Sequence, residues 1–280
     1  LAILKEAQVS ATSSQLKVKM ASWTDVGRLR KINEDSFCVD EGLCLMLVAD
    51  GMGGHEAGEL ASSYAATVFR QQLYTCLEDC KRHISDVIGE SDDQEKTWLD
   101  LPNPLLSLVE LAAIRANRLI LKENLAGGYK ARQRMGTTLV GVWVQPELRE
   151  AVVFNAGDSR VYLWRDKVLT ALTKDHSLHQ QWLDYGRIGP EPSTNIIMNA
   201  VGVTDKLKLD LKVYGIKTGD VLLACSDGLN SMLTDEEIAS LIGLYHSGQK
   251  SLDEVSRLLV ERANERGGED NITVVLAACY

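Results

Sequence analysis

The chain is 280 residues long, 45% hydrophobic and 25% charged, which is enough material for a sizeable core in the balance of an ordinary globular protein. A formal net charge of -9 with no long basic run argues against a surface for nucleic-acid phosphate or anionic lipid. The longest apolar run, 43–49, is too short to cross a bilayer, and six cysteines without repeated spacing read as reduced thiols of a cytoplasmic protein.

No linker, low-complexity block or internal repeat divides the chain, so one domain over 21–280 is expected after an N-terminal tail of residues 1–20. Alternating apolar residues predict strands near 18–26, 36–40 and 43–49, the last two joined by a turn at Asp40-Glu41-Gly42. An amphipathic helix follows from about Glu56 to Gly89, its apolar face carried by Leu60, Ala61, Tyr64, Val68 and Leu73. The acidic stretch 89–103 with Pro102 and Pro104 reads as a loop, and a second helix spans about 105–126. Beyond Gly136 the period changes to two, with strands near 137–144, 150–156, 159–165 and 167–172, then a short helix near 176–186. Strands resume at 207–214 and 220–225. Two helices then open at Thr234-Asp235-Glu236-Glu237 and Ser251-Leu252-Asp253-Glu254, both with capping-box spacing, before a last strand at 272–279. Strands in tight succession with two separated pairs of helices predict an α+β fold of antiparallel sheets covered by helices, not a βαβ repeat.

Acidic residues recur where an apolar strand meets glycine or asparagine. Val48-Ala49-Asp50-Gly51-Met52-Gly53-Gly54 ends one strand, Leu223-Ala224-Cys225-Ser226-Asp227-Gly228 ends another, and Gly267-Gly268-Glu269-Asp270-Asn271 precedes the last. A carboxylate there sits at the mouth of the core, and the following glycine lets backbone approach a ligand. Taken singly, each Asp-Gly is as well read as a turn pair. Taken together, converging carboxylates without matching Lys or Arg would repel unless a cation lay between them, and oxygen-only ligands favour Mg²⁺ or Mn²⁺ over zinc. Upstream, the loop from Thr24 to Ser36 offers Arg30, whose fork matches two phosphate oxygens, and the acidic pair Glu34 and Asp35. Arg28 and Lys31 read as solvated charges.

In order along the chain, Arg30 to Asp35, Asp50 to Gly54, Met135-Gly136-Thr137-Thr138, Asn155-Ala156-Gly157-Asp158-Ser159-Arg160, Asp175-His176-Ser177, Ser226-Asp227-Gly228 and Gly268-Glu269-Asp270-Asn271 resemble the motifs of the metal-dependent protein serine/threonine phosphatases of type 2C, in their compact bacterial form. The resemblance implies a four-layer α-β-β-α sandwich of two antiparallel sheets flanked by helices. It also implies two Mn²⁺ or Mg²⁺ ions, with Asp50 bridging them, the Gly51 carbonyl on the first, Asp227 and Asp270 on the second, and Glu34 and Asp35 completing the shell directly or through water. Arg30 would bind the phosphate of a phosphoserine or phosphothreonine protein, the product of a serine/threonine kinase. A monomer is expected.

Two departures from the family pattern stand out. Met52 occupies the place of the histidine that in eukaryotic relatives is thought to protonate the leaving group, with His55 a substitute or a plain loop residue. Arg134 and Ser231 occupy the places of acids that hold a third ion in many bacterial relatives, so a third site is expected to be weak or absent, with Arg134 either supplying a positive charge in its place or standing as a solvated loop residue. The stretch from Asp175 to about Val203 resembles a variable flap, and His176 and His179 in it read as loop packing. Cys76, Cys80 and His83 have ligand-like spacing but no fourth partner, and read as thiols on a helix. The rival reading is a phosphatase-like module that binds a partner without catalysis; retention of Arg30, Asp50, Asp227 and Asp270 counts against it.

Overall fold

The computed structural model describes residues 16–53, 57–89, 103–128, 130 and 134–280, with only the helical backbone described from 80 to 89. Its strands in chain order are β1 (Val18–Asp25), β2 (Asp35–Asp40), β3 (Leu45–Met52), β4 (Gly136–Thr137), β5 (Leu139–Gln145), β6 (Glu150–Ala156), β7 (Arg160–Arg165), β8 (Val168–Ala171), β9 (Asp210–Gly215), β10 (Val221–Cys225) and β11 (Ile272–Cys279). The helices are α1 (Ala57–Gly89), α2 (Pro104–Ala126), α3 (Leu178–Asp184), α4 (Asp227–Asn230), α5 (Asp235–His246) and α6 (Leu252–Glu265). One sheet runs β1-β11-β10-β7-β8 and the other β2-β3-β5-β6-β9, with β4 paired to β3.

The period-two alternation places the core. On β3, Leu45 and Leu47 face α1 and α2, packing with Phe69, Val109, Ala113, Trp143 and Phe154, whereas Met46 and Val48 face the other sheet and meet Val140, Val142, Leu222, Val275 and Ala277. The opposite outer core joins Trp164, Leu223, Val274 and Leu276 to Ile238, Val255 and Leu259 of α5 and α6. Three apolar layers therefore separate four layers of secondary structure, the expected α-β-β-α sandwich. The inner strand β11 is buried along its whole length, which is why it is apolar on both faces apart from Thr273, whose hydroxyl meets Thr24 Oγ1 at 2.7 Å.

Both anticipated capping boxes form, Thr234 with Glu237 and Ser251 with Glu254, each with reciprocal hydrogen bonds. The second helix opens on Pro104 with Asn103 as N-cap, its side chain accepting from the N–H of Leu105 and of Leu106. Besides shifts of a few residues at other ends, such as Leu45–Met52 for 43–49 and Asp210–Gly215 for 207–214, three differences from expectation matter. The strand expected over 137–144 breaks at Thr138, because the Thr138 N–H turns aside to donate to the Asp50 carbonyl at 2.9 Å. A single-turn helix, α4, follows β10 where a turn was expected. The folded part begins by Leu16, not residue 21. Leu16 is buried, β1 pairs with β11 from Val18↔Cys279 onward, and Lys17 and Tyr280 exchange backbone hydrogen bonds of 2.8 and 2.9 Å. Residues 16–20 thus supply an edge that the sheet needs; residues 1–15 lie outside the described part. No helix among the described residues is long and apolar enough to cross a membrane.

Candidate active site

Antiparallel pairing brings distant residues to one edge of the sandwich. Asp35 opens β2 directly across from Asp50 near the end of β3. On the facing sheet, β10 pairs with β11 through Cys225↔Val274, so Asp227, just past the end of β10, lies at the same edge as Asp270, just before β11. A fifth acid, Asp158, follows the end of β6.

Asp35 and Asp158 are buried, Asp50 and Asp227 largely so, and Asp270 stands partly open, and all of them crowd one another. Burial, then Asp35, Asp227, Asp158 and Asp270, hold the Asp50 carboxyl well above the usual carboxylate range. Burial raises Asp35 to about 7, with Asp227 and Asp270 adding to it against hydrogen bonds from Ser226 and Thr273. Asp158 is likewise pushed to about 7 by burial and then Asp227. Asp227 is raised by burial and by Asp270, with the neighbouring Asp50 carboxyl offsetting part of that rise. Such neighbouring acids need a shared proton or a cation. One oxygen each of Asp35, Asp158 and Asp227 is buried without any partner. Buried acceptors of this kind are costly, and three at one edge form a donor set that fits hard cations with oxygen ligands. Among the described residues no three acids, histidines or cysteines form a closed cage for a single ion. The acids are instead spread over both sheets, Asp35 paired across from Asp50 on β2 and β3, with Asp227 at the end of β10 on the facing sheet.

The surroundings fix each acid. The Asp50 backbone is gripped on both sides: its N–H donates to Thr138 Oγ1 at 2.9 Å, and its carbonyl accepts from Thr137 Oγ1 and the Thr138 N–H, both at 2.9 Å. Thr138 Oγ1 in turn lies 2.8 Å from Ser159 Oγ. Ser226 Oγ donates to Asp35 Oδ2 at 2.7 Å and accepts from the Thr273 N–H at 2.9 Å. Gly51 is required by close approach, since a Cβ there would come within 2.2 Å of the Gly58 carbonyl oxygen. Glu34, raised by burial and held down by Arg30 and by the Gly58 backbone, lies with its carboxyl against Gly58 in the first turn of α1, a favourable place for a carboxylate.

Arg30 stands beside the acids, its Nη2 donating to Asp270 Oδ2 at 2.7 Å with 49% and 34% of the two side chains exposed. An ion pair so open to water is worth at most about 1 kcal/mol, so the guanidinium is exchangeable. Its loop is stapled by Asn271, whose Oδ1 accepts from the Glu34 N–H at 2.8 Å while Nδ2 donates to the carbonyls of Val26 and Ile32, both at 2.9 Å.

All the acids singled out from the sequence, Glu34, Asp35, Asp50, Asp227 and Asp270, reach this edge together with Gly51 and Arg30. Asp158 reaches the same edge without a signal from the strand-Asp-Gly pattern, because its glycine, Gly157, precedes it and the order is reversed. Asn271, Ser226 and the Thr137–Thr138 pair support the acids and the Arg30 loop through hydrogen bonds made largely with backbone, and the sequence motifs that contain them give them no separate role. His176 is buried, bonded to Asp210 at 2.9 Å and to Asn199 at 2.8 Å, and His179 pairs with Glu191 at 2.9 Å; both pack the 175–203 segment. Arg134 is not a solvated loop residue: its Nη1 donates to the Val203 carbonyl at 2.7 Å. Gly54, His55 and the side chains of Cys80 and His83 lie outside the described residues.

Residues 30–272 match the family model described as protein phosphatase 2C. The chain belongs to the protein phosphatase 2C family. That match contains every residue of the acidic edge. A serine/threonine phosphatase of Listeria welshimeri is 34% identical over 261 residues, covering 90% of this chain and 92% of that protein. Protein phosphatase PhpP of Streptococcus pneumoniae is 32% identical, covering 91% and 95%. Among solved structures of the phosphatase 2C type, the catalytic domain of the serine/threonine phosphatase PstP in complex with two manganese ions superposes with a TM-score of 0.72 at 31% identity, covering 94% of this chain and 99% of that one.

Proposed function

We propose that this protein removes phosphate from phosphoserine and phosphothreonine side chains of other proteins, using two Mn²⁺ or Mg²⁺ ions held at the acidic edge. The observation that carries the reading is the row of buried aspartates with partnerless oxygens beside an exchangeable arginine. The carboxylates of Asp50, Asp227 and Asp270 and the Gly51 carbonyl would hold the ions, with Glu34 and Asp35 completing the shell directly or through water. Asp158 joins them as a carboxylate whose charge the ions would relieve. Two such ions, when bound, lower the pKa of water toward neutrality and neutralise phosphoryl oxygens. The chain's own work is orientation and charge. Arg30 leaves Asp270 for the phosphate, bringing a planar fork to two of its oxygens, and Thr137, Thr138 and Gly51 keep Asp50 and its carbonyl from turning. Met52 has no proton to give, so the leaving oxygen is not protonated from that position. The substrates are products of a serine/threonine kinase, and the enzyme acts as a cytoplasmic monomer.

The test is release of phosphate from matched phosphoserine, phosphothreonine and phosphotyrosine peptides with and without Mn²⁺ or Mg²⁺. Metal-dependent release from the first two that disappears in Asp227→Asn supports the reading. A partner-binding module with no catalysis would show no release under any metal.

A further inference from the structure

Two buried asparagines on α2 have no place in the account so far. Asn117 and Asn124 are two helical turns apart, hence on one stripe, and that stripe is otherwise apolar, with Ala113, Ala116 and Ile120 fully buried beside them. A carboxamide in such a stripe is unfavourable unless its hydrogen bonds are made. Here they are made with backbone from two remote segments. Asn124 Oδ1 accepts from the Met135 N–H at 2.9 Å, and its Nδ2 donates to the carbonyls of Met135 at 2.8 Å and Gly202 at 2.9 Å. Asn117 Oδ1 accepts from the Gly202 N–H at 2.7 Å, and its Nδ2 donates to the Thr204 carbonyl at 2.8 Å. Gly202, at φ +88, lies so close to the helix that a Cβ would fall 2.2 Å from Ile120 Cγ2.

The segments held this way lead to the acidic edge. Two residues past Met135, Thr137 exchanges backbone hydrogen bonds of 3.1 and 2.8 Å with Val201, the neighbour of Gly202. Thr137 also pairs with Gly51 across β4 and β3 and donates its hydroxyl to the Asp50 carbonyl. Asn124 is the one side chain of the pair that touches both segments.

We propose that Asn124 is a positioning residue for the divalent ions: by clamping Met135 to Gly202 it sets the backbone of 135–138, and through it the aim of the Asp50 carboxylate and the Gly51 carbonyl. Asn117 holds only the 202–204 segment and secures its root without reaching the ion ligands. The inference rests on the metal-dependent reading of the site, and its test separates the two.

Mn²⁺ binding is measured by calorimetry on the whole chain, without substrate, for the wild type, Asn124→Leu, Asn117→Leu and the core truncation Val109→Ala, with thermal unfolding recorded for each. Asn124→Leu is expected to weaken Mn²⁺ by about tenfold or more, the scale for residues that orient metal ligands, while the other two stay within about threefold. Should the wild type bind no Mn²⁺, the phosphatase reading itself fails. Should it bind while Asn124→Leu binds equally well, or while Val109→Ala or Asn117→Leu weakens binding as much, the positioning role is overturned and the latch is general support. If Asn124→Leu does not fold, Thr137→Val cuts the same relay at its last contact, and unchanged Mn²⁺ affinity there overturns the proposal.

Discussion

Strand β10 has a buried aspartate at each end, and the fold treats them in opposite ways. Asp220, at its start, is fully buried with a bidentate partner: Arg165 Nε and Nη2 reach its two oxygens at 2.8 and 2.6 Å, and the Lys217 N–H adds a third bond of 2.7 Å. Asp227, just past the other end, has a partnerless oxygen and other acids for neighbours. The five residues of β10 and Ser226 separate a carboxylate given its own cation from one given none. A buried charge is tolerated when it is paired, so the first end is a structural joint and the second is a place that makes physical sense only with a cation from outside.

The contrast can be broken most forcefully at its functional end. Asp227→Asn should lower metal-dependent phosphate release at least about a hundredfold, the scale of a lost charge-stabilising group, while the metal-free protein melts no lower than wild type because one repelling charge is gone. A drop in melting temperature without loss of turnover would show that Asp227 is a joint like Asp220.

The next effect is on stability against pH and metal. Asp35 and Asp158 are raised from 3.8 to about 7. The unfolded chain therefore gives up these protons first, and the metal-free protein should lose stability as pH rises from about 4 to about 7 and level off above. Mn²⁺ should restore it at the upper end, by about 2.7 kcal/mol at a hundredfold excess over Kd, and much less at pH 5, where the acids hold protons. Unfolding scans at pH 5 and pH 8 with and without Mn²⁺ check both signs.

At the other end, Asp220→Asn should cost about 1–3 kcal/mol, reduced from the full price of a broken buried pair because Arg165 is a third exposed. Turnover of the folded fraction should be unchanged. The smallest effect belongs to Arg30→Ala. It should raise KM for a phosphopeptide about tenfold, the worth of one charge-assisted contact, and leave the melting temperature unmoved, since the Arg30–Asp270 pair lies open to water.

The same contrast explains what could be read from the sequence. Asp50, Asp227 and Asp270 were legible because the apolar runs of β3 and β10 end at or within one residue of an acid followed by glycine, and β11 begins directly after Asp270-Asn271. Antiparallel pairing does the rest, since it puts strand ends of opposite direction at one edge. Asp158 was hidden by the reversed order Gly157-Asp158. The one-turn helix α4 and the break at Thr138 were invisible because each is set by tertiary hydrogen bonds, the latter to a carbonyl 88 residues earlier in the chain. Asn117, Asn124 and Asn271 bond backbone groups far along the chain, and a carboxamide that recognises backbone imposes no residue type on its partner. The pairing of Asp220 with Arg165 likewise follows from the β10–β7 register, which local pattern does not disclose.

The most direct test is a crystal grown with Mn²⁺ and examined by anomalous scattering at the acidic edge. Two peaks among Asp50, Asp227 and Asp270, with the Gly51 carbonyl on one of them and Asp220 still on Arg165, are the predicted result. No peak at that edge, with the three aspartates turned to separate partners, would contradict the account.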